Sequence, residues 1–136
     1  MKYFSKKIKT PQGEFDSKAE YQRYLYLKHQ QDIGVISDLQ RQVSFEIIPK
    51  LIITEEVQLK TKKKLVERVA ERASYYTADF CYYNHKGQYV ISECKGKYLK
   101  NLKDYVIRRK LIRHLIKKHN DETGNEDWIF EEFVTK

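Results

Sequence analysis

Cysteine is scarce in this chain, with only Cys81 and Cys94 among 136 residues. Two thiols cannot staple a disulfide-dependent scaffold, and a reducing compartment agrees with that usage. Long apolar runs are also missing. The longest near the middle, Phe45 to Ile53, is broken by Glu46, Pro49 and Lys50, far short of the roughly 20 residues a spanning helix needs. The opening MKYFSKKIKTPQGEF carries lysines without the apolar stretch of a signal peptide. The expectation is a soluble, cytoplasmic protein with no membrane partner. No GxxxxGK, GxSxG or GxGxxG segment occurs, so nucleotide cofactors and serine-esterase chemistry lack support. His29, His85, His114 and His119 fall into no ligand spacing with the cysteines, which disfavours zinc. There is no internal repeat.

What the chain does have is positive charge and patterned aromatics. Lys and Arg number 27 against 19 Asp and Glu, a net charge of +8, which favours polyanionic partners. The length is that of one domain, residues 1–136, of which 1–14 read as a basic, extended N-terminal extension with a turn at Pro11, Gln12 and Gly13.

Ser17 followed by Glu20 predicts a helix over 17–31, with Tyr21, Tyr24, Leu25 and Lys28 at helical spacing and Gly34 as its stop. Ser44 to Ile53 reads as a strand interrupted at Pro49, which suggests an edge strand or a bulge. Between Thr54 and Arg72 the spacing fits both helix and strand, with the lysine run 60–64 as a solvated loop tip. Tyr75 to Tyr83 and Tyr89 to Lys95 predict a β-hairpin. Leu102, Tyr105, Val106, Ile112, Leu115 and Ile116 mark one stripe of a basic amphipathic helix. A turn over Asn120 to Asn125 and a strand from Trp128 to Val134 complete the order α-β-β-β-α-β. The expected class is α/β (α+β).

If Tyr83 pairs with Tyr89, Asp79 falls opposite Glu93, and strand alternation places Lys95 on the face of Glu93 with Cys94 on the other. The same register puts Cys81 and Cys94 on opposite faces, against a disulfide. Opposed carboxylates are unfavourable without a positive partner, and hard cations such as Mg²⁺ bind through one or two carboxylates plus phosphate and water. A cation there polarises a phosphoryl oxygen while an ammonium stabilises developing negative charge, which is machinery for phosphodiester hydrolysis.

Asp79, then Glu93-Cys94-Lys95 after thirteen intervening residues, resembles the signature of the PD-(D/E)xK nuclease superfamily. Glu20 in FDSKAEYQRY matches the glutamate that archaeal-type Holliday junction resolvases supply from their first helix. Gln42 and Phe45 in LQRQVSF are similar to small phage and prophage resolvase-like endonucleases. Ala78 stands where the proline of the family's name would be, a position that varies in the family. The resemblance implies a restriction-endonuclease-like core with a central mixed β-sheet flanked by helices. It also implies Mg²⁺ or Mn²⁺ held by Glu20, Asp79, Glu93 and the Cys94 backbone carbonyl, with Lys95 catalytic. Branched DNA as substrate, a homodimer making two symmetric cuts, and a bacterial host cell with a phage origin come from the same resemblance. An ammonium among carboxylates suits positioning water or stabilising the phosphorane better than acting as a base.

For DNA contact the candidates are Gln42, Lys97, Lys103, Arg109, Lys110 and Arg113, the last four on the basic helix. More ordinary readings stand beside these. Glu20 fits a capping box with Ser17, Glu93 and Lys95 fit a surface ion pair, and a charged helix face is commonly just solvated. Two other functions also fit: a non-catalytic nucleic-acid-binding protein with a nuclease-like fold, and an interaction subunit of a recombination or replication complex.

Overall fold

A computed structural model describes residues 7–96 and 102–135. Residues 8–15 are extended and turn at Pro11 and Gln12, and the structure adds that β1 (Ile8–Thr10) and β2 (Gly13–Phe15) pair as an antiparallel hairpin. Its turn needs Gly13, whose φ of 117° suits no other residue. The hairpin delivers Phe15 to the interior, between Tyr21 and Tyr24 and beneath the Arg41 guanidinium.

Helix α1 (Lys18–Asp32) starts where expected, with the Ser17 hydroxyl accepting the Glu20 N–H at 3.1 Å. Ser17→Ala removes this cap, and we expect a loss of about 1 kcal/mol, seen as a melting temperature lower by about 3–4 °C. An unchanged melt would show that the cap contributes nothing. Of the residues at helical spacing, Tyr21, Tyr24, Leu25 and Lys28, not all turn inward. The inward face runs through Glu20, Tyr24 and Leu27, spaced i, i+4, i+7, while Leu25 is left exposed.

Strand β3 (Ser37–Ile48) pairs antiparallel with β6 (Ser74–Tyr83), which pairs antiparallel with β7 (Tyr89–Gly96). The β6–β7 register has Tyr83 opposite Tyr89, as read from the sequence. Asn84 holds the turn by accepting the N–H groups of Lys86 and Gln88. Helix α2 (Lys103–Thr123) then crosses to β8 (Trp128–Thr135), which lies parallel to β7. The result is an α+β fold with a mixed four-stranded sheet in the order β3-β6-β7-β8.

Several expectations are corrected here. The six-element order omits two hairpins: β1–β2, and the separate pair β4 (Leu51–Gln58) with β5 (Lys63–Glu71). Pro49 lies in neither strand but between β3 and β4, and Lys63 and Lys64 belong to β5 rather than to the loop. In addition, Asn120 to Thr123 continue α2, which ends at Gly124 with φ 75°. Asn120 is used in tertiary structure, its amide bonding both the N–H and the C=O of Trp128. Of the apolar stripe expected on α2, Tyr105, Ile112 and Ile116 are buried while Leu102 is exposed. No helix among the described residues is long and apolar enough to cross a membrane.

The sheet carries a core on each face. Tyr76, Ala78, Cys81 and Ile91 pack with Ile112 and Ile116 of α2, whereas Phe80, Tyr82 and Val90 pack with Leu27 of α1. Cys94 packs against the α1 cluster, so the two thiols are free and on opposite faces. Residues 76 and 78 thus face α2, but 80 and 82 face α1. Since alternate residues of a regular strand share a face, the pleat of β6 reverses at Asp79. Its neighbour does the same: Leu39 joins the α1 cluster, while Val43, Phe45 and Ile47 join that of α2. The reversal in β3 falls at Gln42, which has a left-handed φ of 52°. Such a conformation is uncommon outside glycine, and strain of this kind concentrates at functional sites.

Candidate active site

The β6–β7 ladder ends with Phe80 opposite Ser92, one step before Asp79 would meet Glu93. There the Asp79 side chain replaces a backbone acceptor, its Oδ2 taking the Cys94 N–H at 2.8 Å. Around this opening the candidate side chains converge. Glu93, 6% exposed, accepts the Tyr76 hydroxyl at 2.7 Å and lies 3.6 Å from Lys95 Nζ. Glu93 and Lys95 share a face, as alternation requires, and the ammonium also lies 4.7 Å from the Tyr105 ring centre. From α1, Glu20, 4% exposed, reaches the same place. Gln42 links it to the strand pair, its Nε2 donating to Glu20 at 3.1 Å and more weakly to Asp79 at 3.4 Å. The capping-box reading of Glu20 is therefore half correct: its N–H is capped by Ser17, but its carboxylate turns inward to Gln42.

Burial, then repulsion from Asp79 and Asp16, pushes the Glu20 carboxyl up to about 7, against the opposing influence of Arg41 and Gln42. Burial and the Asp79 charge likewise push Glu93 up to about 7, opposed by the Tyr76 hydroxyl and Lys95. Asp79 is raised by burial, offset by the Cys94 N–H, Lys95 and Gln42. Cys94 is no nucleophile, because burial followed by the Asp79 and Glu20 charges pushes its thiol up to about 12. Two buried carboxyls and a half-buried third that resist ionising together form a site poised to take up positive charge.

Among the described residues, no three His, Cys, Asp or Glu side chains are grouped closely enough to hold a metal ion together. The donor chemistry nonetheless fits a small hard cation, since Mg²⁺ keeps several waters and takes one or two carboxylates. Asp79 paired with Glu20 or Glu93 meets that need, with Gln42 and Lys95 supplying the polar contacts between them.

The DNA-contact candidates are scattered. Gln42 belongs to the carboxylate cluster, and Lys97 lies outside the described residues. Lys103, Lys110 and Arg113 are exposed on α2. Arg109 does not project freely: it turns inward to Glu132 at 3.4 Å, beside the Tyr105 ring, because β8 brings that carboxylate beneath the helix. Cys94 has its N–H bound to Asp79, which places its backbone at the opening. Sequence reasoning missed Tyr76 and Tyr105. Both lie among many tyrosines, and regular alternation puts Tyr76 on the wrong face unless the reversal at Asp79 is known.

A family model described as "Protein of unknown function (DUF1064)" matches residues 1–129. No curated protein and no solved structure matches the chain.

Proposed function

The chain belongs to the DUF1064 family of proteins of unknown function, and from that premise we propose that it is a divalent-cation-dependent DNA endonuclease of the PD-(D/E)xK type, acting on branched DNA. The observation that carries this reading is the cluster at the β6–β7 opening. Asp79 and Glu93 flank the step where the ladder ends, Lys95 stands beside Glu93, and Gln42 joins Glu20 to them. The succession α1, β3, β6, β7, α2, β8 supports a restriction-endonuclease-like core, with the two extra hairpins as additions to it.

In this reading Asp79, together with Glu20 or Glu93 and the Cys94 carbonyl, would hold Mg²⁺ or Mn²⁺, which when bound would polarise the phosphate and activate water. The chain's own groups do the rest. Tyr76 fixes one oxygen of Glu93, and Gln42 holds the Glu20 and Asp79 oxygens toward each other. The Lys95 ammonium, steadied by the Tyr105 ring, stabilises the negative charge that builds on the phosphoryl oxygens. Lys103, Lys110 and Arg113 offer phosphate contacts on α2. A homodimer in the cytoplasm of a bacterial host supplies the two active sites that paired cuts require.

The test is cleavage of a labelled four-way junction beside matched linear duplex, flap and single strand, in Mg²⁺ or in EDTA. Symmetric cuts in the junction that vanish in EDTA are expected. Metal-dependent cutting of another substrate keeps the nuclease and removes the junction. Intact DNA binding with no cutting of any substrate defeats the proposal in favour of a non-catalytic binding protein.

A further inference from the structure

The β4–β5 pair is an arm. Since Ile48 pairs with Ser74 and Leu51 with Glu71, the arm prolongs the β3–β6 ribbon past the break at Pro49. Among the described residues each of its strands has only the other for a partner. Within them only Ile53, Glu55 and Ala70 are even half-buried. Two strands with no layer behind them are marginally stable alone, and eight residues carry the tip about 26 Å beyond the break. At that tip are Lys60, Lys62, Lys63 and Lys64, all exposed. Lys63 reaches Glu56 at 3.2 Å, while Lys60, Lys62 and Lys64 make no ion pair among the described residues.

We infer that this arm is a DNA-binding element, laying its lysine tip on phosphates away from the cleavage site. The inference rests on the reading that DNA is the substrate. A two-stranded ribbon matches the width of the major groove, and exposed Val57, Leu65 and Val66 on the shaft suit contact with sugars and base edges. The alternative occupant, a second copy meeting the arm tip to tip about a two-fold axis, would set the lysine tip against its own counterpart. Like charges oppose that contact, whereas a polyanion neutralises them.

The experiment uses the full chain and a labelled junction and duplex without divalent cation, so that binding is read apart from cleavage. Affinity is followed against salt for wild type, for a variant combining Lys60→Ala, Lys62→Ala, Lys63→Ala and Lys64→Ala, and for the same four positions changed to Arg. Each lost phosphate contact lowers the slope of log affinity against log salt by about 0.9. The alanine variant is expected to lose about 2–4 in slope and at least tenfold in affinity at low salt, with the arginine variant like wild type. Unchanged slope and affinity overturn the inference and leave the lysines only guarding exposed strand edges. Lost self-association with undiminished DNA binding also overturns it, making the arm a contact between copies. An arm-dependent slope in a protein that never cuts leaves this inference standing and defeats the nuclease; cutting by a protein whose arm variant binds normally does the reverse.

Discussion

Asp79→Asn is expected to give a folded protein whose metal-dependent DNA cleavage is on the order of 10³-fold slower than wild type. The figure follows from the several kcal/mol of transition-state stabilisation that a correctly held cation supplies, at 1.36 kcal/mol per tenfold in rate. The variant separates chemistry from folding because of how Asp79 is bound. Its Oδ2 accepts the Cys94 N–H, and the carbonyl oxygen of an asparagine amide can still accept that bond, though without the assistance of charge. Alanine there would strand a buried backbone N–H, at about 1–3 kcal/mol, and confuse the two effects. What asparagine removes is the negative charge that a cation needs. The measurement pairs cleavage rates with thermal melts in Mn²⁺ and in EDTA. Wild type should melt higher with the ion, as any ligand of the folded state requires, and Asp79→Asn should show neither stabilisation nor cutting. Cleavage within a few-fold of wild type would remove Asp79 from the reaction.

The second large effect is a dependence of stability on pH that runs opposite to ordinary acid denaturation. Burial pushes the Glu20 and Glu93 carboxyls up to about 7 in the folded protein, from an ordinary value of 4.5. Between these values the folded protein binds more protons than the unfolded chain, so stability falls as pH rises. The contribution is fully present below about 4.5 and is lost once pH passes about 7. One carboxyl shifted this far corresponds to about 3 kcal/mol. Because the two share Asp79 as a neighbour, we expect a total of that order, or about 10 °C in melting temperature for a chain of this size. Melts in EDTA at pH 5 and pH 8 read it directly. Mg²⁺ or Mn²⁺ should recover most of the difference at pH 8, where all three carboxyls are asked to ionise. A flat profile in EDTA would mean that these groups are hydrated and that the cluster is looser than its burial implies.

The local chemistry of the chain was legible where residues act on near neighbours. Ser17 and Glu20 placed the start of α1, and the Tyr83–Tyr89 pairing gave the register that brings Asp79 toward Glu93. The convergence of Glu20, Asp79, Glu93, Lys95 and Gln42 followed from that register together with a family resemblance. The β4–β5 arm was illegible because it is exposed on both faces, and no burial pattern distinguishes strand from helix there. Asn120 reads as a turn residue because its tertiary partner, Trp128, is invisible to local propensity. The pleat reversal left no mark either: no glycine sits at 42, so nothing announces a positive φ. The strain there is carried by a side chain bonded to two carboxylates, and only the folded arrangement shows why.

That reversal also determines how the site is approached. Because β3 and β6 exchange faces at Gln42 and Asp79, each helix covers a different half of the ribbon they form. On the side of α1, the half beyond the helix carries Ser44, Glu46, Tyr75 and Thr77, all exposed. Half-buried Asp79 therefore stands at the inner edge of an open shelf, with the buried Glu20 and Glu93 set back behind it. A small molecule would find little there to enclose it. A stiff, continuous rod can lie across such a shelf without its ends having to enter anywhere.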